Sequence, residues 1–549
     1  MSVAATDSLT AGAAPPLPLG QLVRSRAGWP EEPPLLTFVG HDASGAYVVA
    51  HRHFASLWRR GQAIARALAA RGVAAGDRFA LQMQNHAEFA DAVVASAILG
   101  AVFVPIDPRT RGKKLQYMLD AVGCKGVIAG TYCLEALQEV VHEAPSVGWV
   151  LLVGPRDPAR ALPARTEWLD DVVVPDGPDL PVTGDRLDMA MQMMFTSGTT
   201  GDPKAIVGTY QRYASIGDIV RALGVIDSDR MYTGLSMTHG NALMITMGGA
   251  LYTGVPAVFS LKFTKSRLWS VIRDFRCTTM NLLGGMFSAI YSEPPTERDA
   301  DNPLRVVLSA GMPKNLWEAF EKRFDLRVLE FYGASEGGLL VKHPGVGPIG
   351  SIGRPPPSLI AHILDEEDCE CAPFQPGEIV FENADGSPAV VDYFGNPDAS
   401  QKKTRGGWLR MGDIGYRDDE GWFYFMHRKG NEIRRNGDFI SPGFLEKEIA
   451  EHPNVIDVFV YGVKSTNGTP GEKDVVAAIV AQDARAWDAE SVFAFCETRL
   501  EKNSVPSYLQ LVDEIPKTAS EKPLERVLLE TFSPSAANVF ARRTDDVAA

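Results

Sequence analysis

The spacing of apolar residues predicts helices alternating with strands in the first part of the chain. Apolar side chains recur at helical intervals over residues 51–72, where Gly72 ends the pattern. A second helical pattern covers residues 85–99. Short apolar runs of strand length lie between and after these helices, at residues 78–83, 102–106, 126–129 and 149–153. Such alternation predicts an α/β fold in which helices cover mostly parallel sheets.

The later pattern divides the chain into further pieces. Strand–helix alternation continues to about residue 354, and residues 355–428 then read as short strands between Gly, Pro and Asp turns. This second pattern predicts an antiparallel or barrel-like subdomain. Length alone predicts roughly three or four domain-sized units. The predicted organisation is a disordered arm at 1–20, a large N-terminal α/β domain at 21–428, a small mobile α+β domain at 429–533 and a tail at 534–549.

Composition narrows the kinds of partner. The 549 residues carry a net charge of -14, which argues against general binding to nucleic acid or to anionic membranes. The six cysteines are scattered, which is typical of reduced thiols in the cytoplasm. No signal peptide or apolar run of membrane-spanning length is present, so no membrane anchor is predicted. An oligomer, if one forms, is expected to be a homodimer.

Residues 195–204 are the most informative stretch of the chain. An apolar run of strand length enters a loop rich in hydroxyls and glycines, and a lysine follows the loop. Glycines let backbone N–H groups converge on an anion, while hydroxyls and a lysine add donors and charge. The loop therefore predicts a phosphate site rather than a flexible polar turn, and it lacks the spacing of a Walker A loop. Its members are Thr196, Ser197, Gly198, Thr199, Thr200, Gly201 and Lys204.

A second motif, Tyr332-Gly333-Ala334-Ser335-Glu336, follows another apolar strand. Tyr332 is suited to stack on a purine, and Glu336 is suited to bind a Mg²⁺ ion that is also bound to phosphates. The same residues spell a Gly-x-Ser-x-Gly elbow, so a serine hydrolase that uses Ser335 is an alternative from another functional class. That elbow requires a long helix directly after it, and Gly337 and Gly338 disfavour one.

Both motifs resemble those of the adenylate-forming superfamily, which contains acyl-CoA synthetases, peptide-synthetase adenylation domains and luciferases. Further matches run in the family's order to the end of the chain, and the order adds weight to motifs that are weak singly. Residues 505–509 also resemble the carnitine/crotonobetaine–CoA ligase branch, and aryl-CoA ligases are similar as well. The later matches are Thr238-His239, Ala310-Gly311, Gly412-Asp413, Arg428, Gly430, Gly437 and Lys522.

The resemblance implies a role for each matching residue. The loop from Thr196 to Lys204 would hold the β- and γ-phosphates of ATP, and Glu336 would hold Mg²⁺. The nucleotide site would also contain Ala310, Gly311, Tyr332, Gly333, Ser335, Asp413 and Arg428. Gly430 would be the hinge, and Gly437 would face coenzyme A. The implied catalytic set is Lys522, Glu336, His239 and Thr196.

The family pattern is broken at a few positions. Ser335 stands where the family usually has Thr, which keeps a hydroxyl. Phe444 replaces a common acidic residue, and Glu521 replaces the glycine before the catalytic lysine. Glu521 raises the question of whether this loop can still reach the nucleotide.

The resemblance implies a free-standing, AMP-forming acyl-CoA synthetase that uses ATP, Mg²⁺ and coenzyme A. The carboxylate of the substrate would attack the α-phosphate, giving an acyl-adenylate and pyrophosphate, and coenzyme A would then displace AMP. Alternatives are a carnitine or medium-chain acyl-CoA ligase and an enzyme that loads a carrier protein. The candidate acyl-pocket residues are small or apolar and none is acidic, which favours an aromatic or arylalkanoic acid over a cationic betaine. They are Met237, His239, Gly284, Gly285, Met286, Gly311, Ala334 and Gly338.

Overall fold

The structure is a computed structural model that describes most of the chain. The described residues are 16–157, 161–174, 176–196, 203–429, 433–435, 438–440, 442–465, 473–500, 503–518, 521 and 523–542.

The strands, in chain order, are β1 Leu36–His41, β2 Tyr47–Arg52, β3 Arg78–Gln82, β4 Val102–Pro105, β5 Cys124–Gly130, β6 Trp149–Val153, β7 Thr166–Trp168, β8 Ala190–Thr196, β9 Lys204–Thr209, β10 Met231–Thr233, β11 Ala257–Ser260, β12 Thr279–Leu283, β13 Val306–Ala310, β14 Arg327–Ala334, β15 Gly337–Lys342, β16 Leu359–Leu364, β17 Gly377–Asn383, β18 Leu409–Arg417, β19 Phe423–Arg428, β20 Ile433–Arg435, β21 Asp438–Ile440, β22 Val455–Lys464, β23 Lys473–Ala481, β24 Tyr508–Leu511 and β25 Val539–Ala541.

The α-helices are α1 Leu19–Arg26, α2 Phe54–Ala69, α3 Ala87–Leu99, α4 Gly112–Ala121, α5 Leu134–Val140, α6 Leu169–Val172, α7 Tyr210–Ala214, α8 Ile216–Ala222, α9 Gly249–Thr253, α10 Lys265–Asp274, α11 Gly284–Tyr291, α12 Trp317–Phe324, α13 Pro397–Lys403, α14 Pro442–Ala450, α15 Ala489–Arg499 and α16 Glu525–Thr531. A π-helix spans Asn241–Gly248.

Two large sheets form the centre of the molecule. One has the order β15-β14-β13-β12-β10-β11-β1-β2, and the other has the order β7-β6-β5-β3-β4-β8-β9. Their inner strands are parallel, and each sheet has at least one antiparallel edge pair. A single apolar core contains residues of both sheets and of α2 and α3, which explains why α3 is apolar on nearly every face. The predicted α/β class is confirmed.

Three smaller sheets follow in the described part of the chain, and one of them is the two-stranded pair of β20 and β21. Strands β16 to β19 form an antiparallel sheet, as the turn-rich pattern predicts. Strands β22 to β25 form another sheet, which has its own apolar core and is covered by α14 and α15. The boundary predicted at residues 428–429 stays a prediction, since Gly430 lies outside the described residues.

The predictions for the two ends of the chain need correction. Leu19 and Gly20 are buried in α1, so the predicted arm is too long at its inner end. Residues 1–15 lie outside the described residues. The predicted tail is not entirely loose: β25 pairs with β24 and buries Val539. These three residues form the edge strand of the C-terminal sheet.

Candidate active site

A cleft of about 2160 Å³ lies where the carboxyl ends of several parallel strands meet. Strands β8, β12 and β13 each end at residues that line it, as does the turn between β14 and β15. This is the usual location of ligand sites in open α/β sheets. The C-terminal part of the chain closes one side through Lys517, Thr518, Leu524 and Arg526.

The predicted phosphate loop connects β8 to β9 at the cleft. Thr196 and Lys204 lie directly opposite each other at the base of this hairpin, and both line the cleft. The Thr196 hydroxyl donates a hydrogen bond to the Lys204 carbonyl oxygen at 3.4 Å, and Lys204 Nζ lies 5.6 Å from the centre of the Tyr393 ring. Ser197, Gly198, Thr199, Thr200 and Gly201 lie outside the described residues.

Glu336 is a buried carboxylate on the cleft wall. Its Oε1 accepts a hydrogen bond of 2.7 Å from the Tyr393 hydroxyl and lies 3.9 Å from Lys403 Nζ. Within the described part of the chain, no hydrogen bond or ion pair engages Oε2. Desolvation lowers the pKa of the Lys403 ammonium and raises the pKa of the Tyr393 phenol. The described residues contain no cluster of three side chains that could hold a metal ion by themselves. The Glu336 carboxylate therefore fits a Mg²⁺ ion whose other ligands are phosphate oxygens.

Asp413 and Tyr332 form a second buried polar group. The Tyr332 hydroxyl donates to Asp413 Oδ2 at 2.5 Å. Arg428, which lies opposite Asp413 in the β18–β19 register, brings Nε to 3.5 Å from Oδ1. Desolvation raises the pKa of the Asp413 carboxyl, and Oδ1 is buried without a hydrogen-bond partner among the described residues. A carboxylate oxygen that has no hydrogen-bond partner and lies beside an arginine is suited to accept a hydrogen bond from a ribose hydroxyl.

Glu330 sets the shape of the turn at Gly311, and the sequence analysis missed it. Its carboxylate accepts hydrogen bonds from the backbone N–H groups of Gly311, at 2.6 Å, and Met312, at 3.1 Å. Gly311 has a φ of 95°, in the left-handed region that glycine adopts without strain. Burial raises the pKa of Glu330 to about 7. A charged residue within the apolar run Val328-Leu329-Glu330-Phe331 was the signal available in the sequence.

The acyl side of the cleft is mostly apolar. His239 lies on its wall, and Nδ1 accepts a hydrogen bond from the Asn241 backbone N–H at 3.3 Å. Burial lowers the pKa of His239, so its imidazole is neutral near pH 7. Ala334 and Gly338 also line the cleft, as predicted. Further wall residues that the sequence analysis did not name are Met244, Ile245, Leu283, Phe331 and Leu339.

Several predicted pocket residues do not lie on the wall of the cleft, and these assignments are corrected. Met237, in the turn after β10, and Met286, in α11, are almost fully buried in the apolar core. Gly284 and Gly311 face each other; a Cβ on Gly284 would come within 2.8 Å of the Gly311 carbonyl oxygen. Gly285 is covered by the side chain of Lys517.

Arg212, in α7, is a basic residue on the cleft wall that was also missed. Its Nη2 donates to the Ala334 carbonyl oxygen at 3.4 Å. Desolvation lowers the pKa of the guanidinium, which Glu336 partly offsets by Coulombic attraction. No carboxylate in the described ranges lies within ion-pair distance of Arg212. An arginine just after β9, in a chain segment that otherwise contributes to the core, was the sequence signal.

The C-terminal residues on the cleft belong to a hairpin. The Leu524 N–H donates to the Pro516 carbonyl oxygen at 2.7 Å, and the Glu521 N–H donates to the Thr518 carbonyl oxygen at 2.9 Å. Lys522 belongs to this segment but lies outside the described residues, as do Gly430 and Gly437. Glu521 has a φ of 59°, the left-handed region that a glycine would occupy at a lower energetic cost. Phe444 lies on α14 and is 41% exposed.

Two family comparisons cover most of the chain. Residues 44–386 match the AMP-binding enzyme family, and residues 445–522 match the AMP-binding enzyme C-terminal domain. The chain belongs to the AMP-binding enzyme family. The first match alone covers more than half of the chain and includes the phosphate hairpin and the Tyr332–Glu336 motif. The predicted superfamily is therefore confirmed.

Curated relatives of this AMP-binding enzyme are named as CoA ligases. It is 29% identical to a crotonobetaine/carnitine–CoA ligase of Salmonella arizonae over 491 residues, which cover 87% of this chain and 93% of that protein. It is 28% identical to a sulfoacetate–CoA ligase of Cupriavidus necator over 513 residues, or 92% and 96% of the two chains. The predicted enzyme class, an AMP-forming acyl-CoA synthetase, is confirmed at this level.

Solved structures of CoA ligases share the fold. The anthranilate CoA ligase AuaEII in complex with anthranoyl-AMP has a TM-score of 0.80 at 19% identity, with 94% of this chain and 98% of that chain covered. A benzoate CoA ligase from Burkholderia xenovorans has a TM-score of 0.79 at 20% identity, with coverages of 93% and 98%. In the described part of the chain, no helix is both long and apolar enough to span a bilayer.

Proposed function

We propose that this enzyme joins a carboxylic acid to coenzyme A at the expense of ATP, through an acyl-adenylate. The supporting observation is that four elements border one cleft: the base of the phosphate hairpin, the Glu336 carboxylate, Arg428 of the Asp413–Arg428 pair and the C-terminal hairpin through Lys517 and Leu524. An adenylate-forming reaction needs these four elements together, because positioning and charge neutralisation supply most of its catalysis.

In the first half-reaction, the residues of the cleft bind ATP and the substrate carboxylate together. Lys204 and the loop after Thr196 would bind the β- and γ-phosphates, and Glu336 would hold Mg²⁺, which would supply charge neutralisation for the phosphates. Asp413 would accept a ribose hydroxyl at Oδ1, which has no hydrogen-bond partner among the described residues. Lys522 stabilises the negative charge that builds up between the substrate carboxylate and the α-phosphate.

The second half-reaction requires the C-terminal residues to move. Lys517, Thr518 and Leu524 line one side of the cleft, and we expect the thiol to approach the acyl-adenylate from that side. Rotation about Gly430 would withdraw these residues and bring the segment around Gly437 to the cleft. The thiol sulfur of coenzyme A then bonds to the acyl carbon, and the bond between that carbon and the bridging oxygen breaks. AMP leaves with the bridging oxygen and the electron pair of that bond, and the thiol proton is lost to solvent.

The acyl group is proposed to be an aromatic or arylalkanoic acid. Leu283, Phe331 and Leu339 give the acyl side an apolar wall that suits a planar ring. Solved ligases of anthranilate and benzoate share the fold, which is compatible with such a substrate but shows the fold alone. A cationic acid such as carnitine is disfavoured despite the named relatives, since Arg212 adds positive charge to the same cleft.

A small acid with a second negative charge is the other candidate substrate. Arg212 lies on the cleft wall without a carboxylate partner among the described residues, so an anionic group of a substrate would pair with it. One of the relatives is named a sulfoacetate–CoA ligase. This candidate and the aromatic acid differ in charge, so kinetics can separate them.

The hydrolase alternative receives no support from the structure. Strand β15 follows Ser335 at once, whereas a nucleophile elbow requires a helix there. Among the described residues, no histidine forms a hydrogen bond with Ser335.

The deciding experiment measures AMP and pyrophosphate release with ATP and Mg²⁺, with and without coenzyme A. The panel contains benzoate, phenylacetate, indoleacetate, cinnamate, sulfoacetate, fatty acids and carnitine. AMP and a CoA thioester formed from one chemical class support the proposal and identify that class. AMP without a thioester would indicate a carrier-protein acceptor. No AMP from any acid, together with fluorophosphonate labelling of Ser335, would overturn the ligase.

A further inference from the structure

The C-terminal hairpin touches the large part of the molecule at Gly285, in the first turn of α11. The side chain of Lys517 lies over this glycine. A Cβ at position 285 would overlap the Lys517 ammonium and come within 2.9 Å of Cε. A side chain at position 285 would therefore force the end of the Lys517 side chain away from this place.

Lys517 reaches Gly285 as one half of an ion pair. Its Nζ lies 2.6 Å from Asp457 Oδ2, and Asp457 belongs to β22 of the C-terminal sheet. Oδ1 of the same carboxylate accepts a hydrogen bond of 3.0 Å from the Val458 N–H, which orients it. Both side chains are largely shielded, with 15% of Lys517 and 24% of Asp457 exposed. The pair is thus a preformed unit of the C-terminal part.

The ion pair also reduces the electrostatic repulsion between Lys517 and the N-terminal end of α11. The first turn of a helix carries partial positive charge, so a lysine ammonium there is electrostatically disfavoured. Asp457 places a negative charge at the same end of α11 and offsets this repulsion. Lys517 without Asp457 would leave the contact.

The contact also sets the position of the hairpin. Lys517 stands at its base, where it bridges to Pro523, and the Leu524 N–H closes the loop onto Pro516. Between them in sequence lies Lys522, the lysine that the proposed function requires at the α-phosphate. A shift of Lys517 away from Gly285 would shift the whole hairpin in the cleft.

We propose that Gly285 and the Lys517–Asp457 pair form a docking contact that holds the C-terminal part in the orientation for adenylation. The contact is released when that part rotates for thioester formation. Lys517 and Asp457 are positioning residues, because they act through the hairpin rather than on the substrate. The inference rests on the proposed function.

The test separates the two half-reactions. Adenylation is measured by ATP–pyrophosphate exchange, and thioester formation by coenzyme A consumption with supplied acyl-adenylate. We expect Gly285→Val to slow adenylation about tenfold and thioester formation less than about twofold. The matched control is Gly28→Val, since a Cβ at Gly28 meets no atom within 4 Å. Its two half-reactions are expected to stay at wild-type rates.

A double-mutant cycle guards against a purely structural effect of valine at position 285. In a Lys517→Ala background the overlap is gone, so Gly285→Val should slow adenylation by less than about twofold further, a coupling typical of residues in contact. Independent multiplication of the two effects would overturn the docking contact, as would equal loss of both half-reactions. If the wild-type protein catalyses ATP–pyrophosphate exchange but the effects of the two substitutions combine independently, this inference alone is rejected. If no acid supports exchange, the proposed function is rejected with it.

Discussion

The nucleotide side and the acyl side of the cleft are organised in opposite ways. On the nucleotide side, polar groups are held by other protein groups before any ligand binds: Tyr393 holds Glu336, Tyr332 holds Asp413, and Glu330 holds the Gly311 turn. On the acyl side, the named wall residues are mostly apolar, and Arg212 donates to the Ala334 carbonyl oxygen without a carboxylate in ion-pair distance among the described residues. The first side is preorganised for one ligand, while the second leaves its specificity to a few side chains. Four predictions test this contrast.

The largest effect is expected for Lys522, which the proposed function assigns to the charge between the substrate carboxylate and the α-phosphate. Lys522→Ala should lower adenylation by a factor of about 10²–10³, because the charge at the α-phosphate loses its partner. Thioester formation from supplied acyl-adenylate should persist. The control is Lys322→Ala, an exposed lysine on α12. Equal loss of both steps would mean that Lys522 is not specific to adenylation.

On the nucleotide side, Glu336→Gln should reduce adenylation by about two orders of magnitude, because a metal-binding charge is lost. The loss should be partly recovered when the Mg²⁺ concentration is raised, and it should be the same for every acid in the panel. Glu367→Gln, in an exposed turn, is the control. A loss that depends on the acid would contradict the separation of the two sides.

Glu330 predicts a pH effect on stability rather than on chemistry. Its pKa is raised by burial to about 7 in the folded protein, against an ordinary value of 4.5 for a glutamic acid side chain. The folded state therefore binds the proton more tightly, and this group's contribution to stability falls as the pH rises from about 4.5 to 7. In Glu330→Gln, the decline in melting temperature between pH 5 and 7 should be shallower than in wild type. An unchanged slope would show that Glu330 does not titrate in this range.

The smallest effect is expected on the acyl side. Arg212→Met should raise KM for an acid with a second negative charge by about tenfold, since a charge-assisted pair is lost. KM for ATP should change less than about twofold. For benzoate the variant should be unchanged or slightly better. A matched rise in KM for ATP would place Arg212 with the phosphates and remove it from the acyl side.

The same contrast explains what the sequence could predict. Motifs such as Thr196–Lys204 and Tyr332–Glu336 are short and local, so their residues could be named. Thr196, Lys204, Ser335 and Glu336 of these motifs line one cleft. The acyl wall comes from separate elements, and which face of a helix or strand meets the cleft depends on packing. For this reason Met237 and Met286 were misassigned to the pocket. Arg212 and Glu330 were missed because each is a single charged residue without a motif around it.

The edge strand β25 has a practical consequence for handling the protein. Residues 539–541 cover the free hydrogen-bonding edge of β24, so a truncation before them would expose β24 to pairing with another molecule. An affinity tag attached after residue 549 would follow this strand closely. A shortened variant should therefore keep residues up to 542, and an N-terminal tag should interfere less with recombinant production.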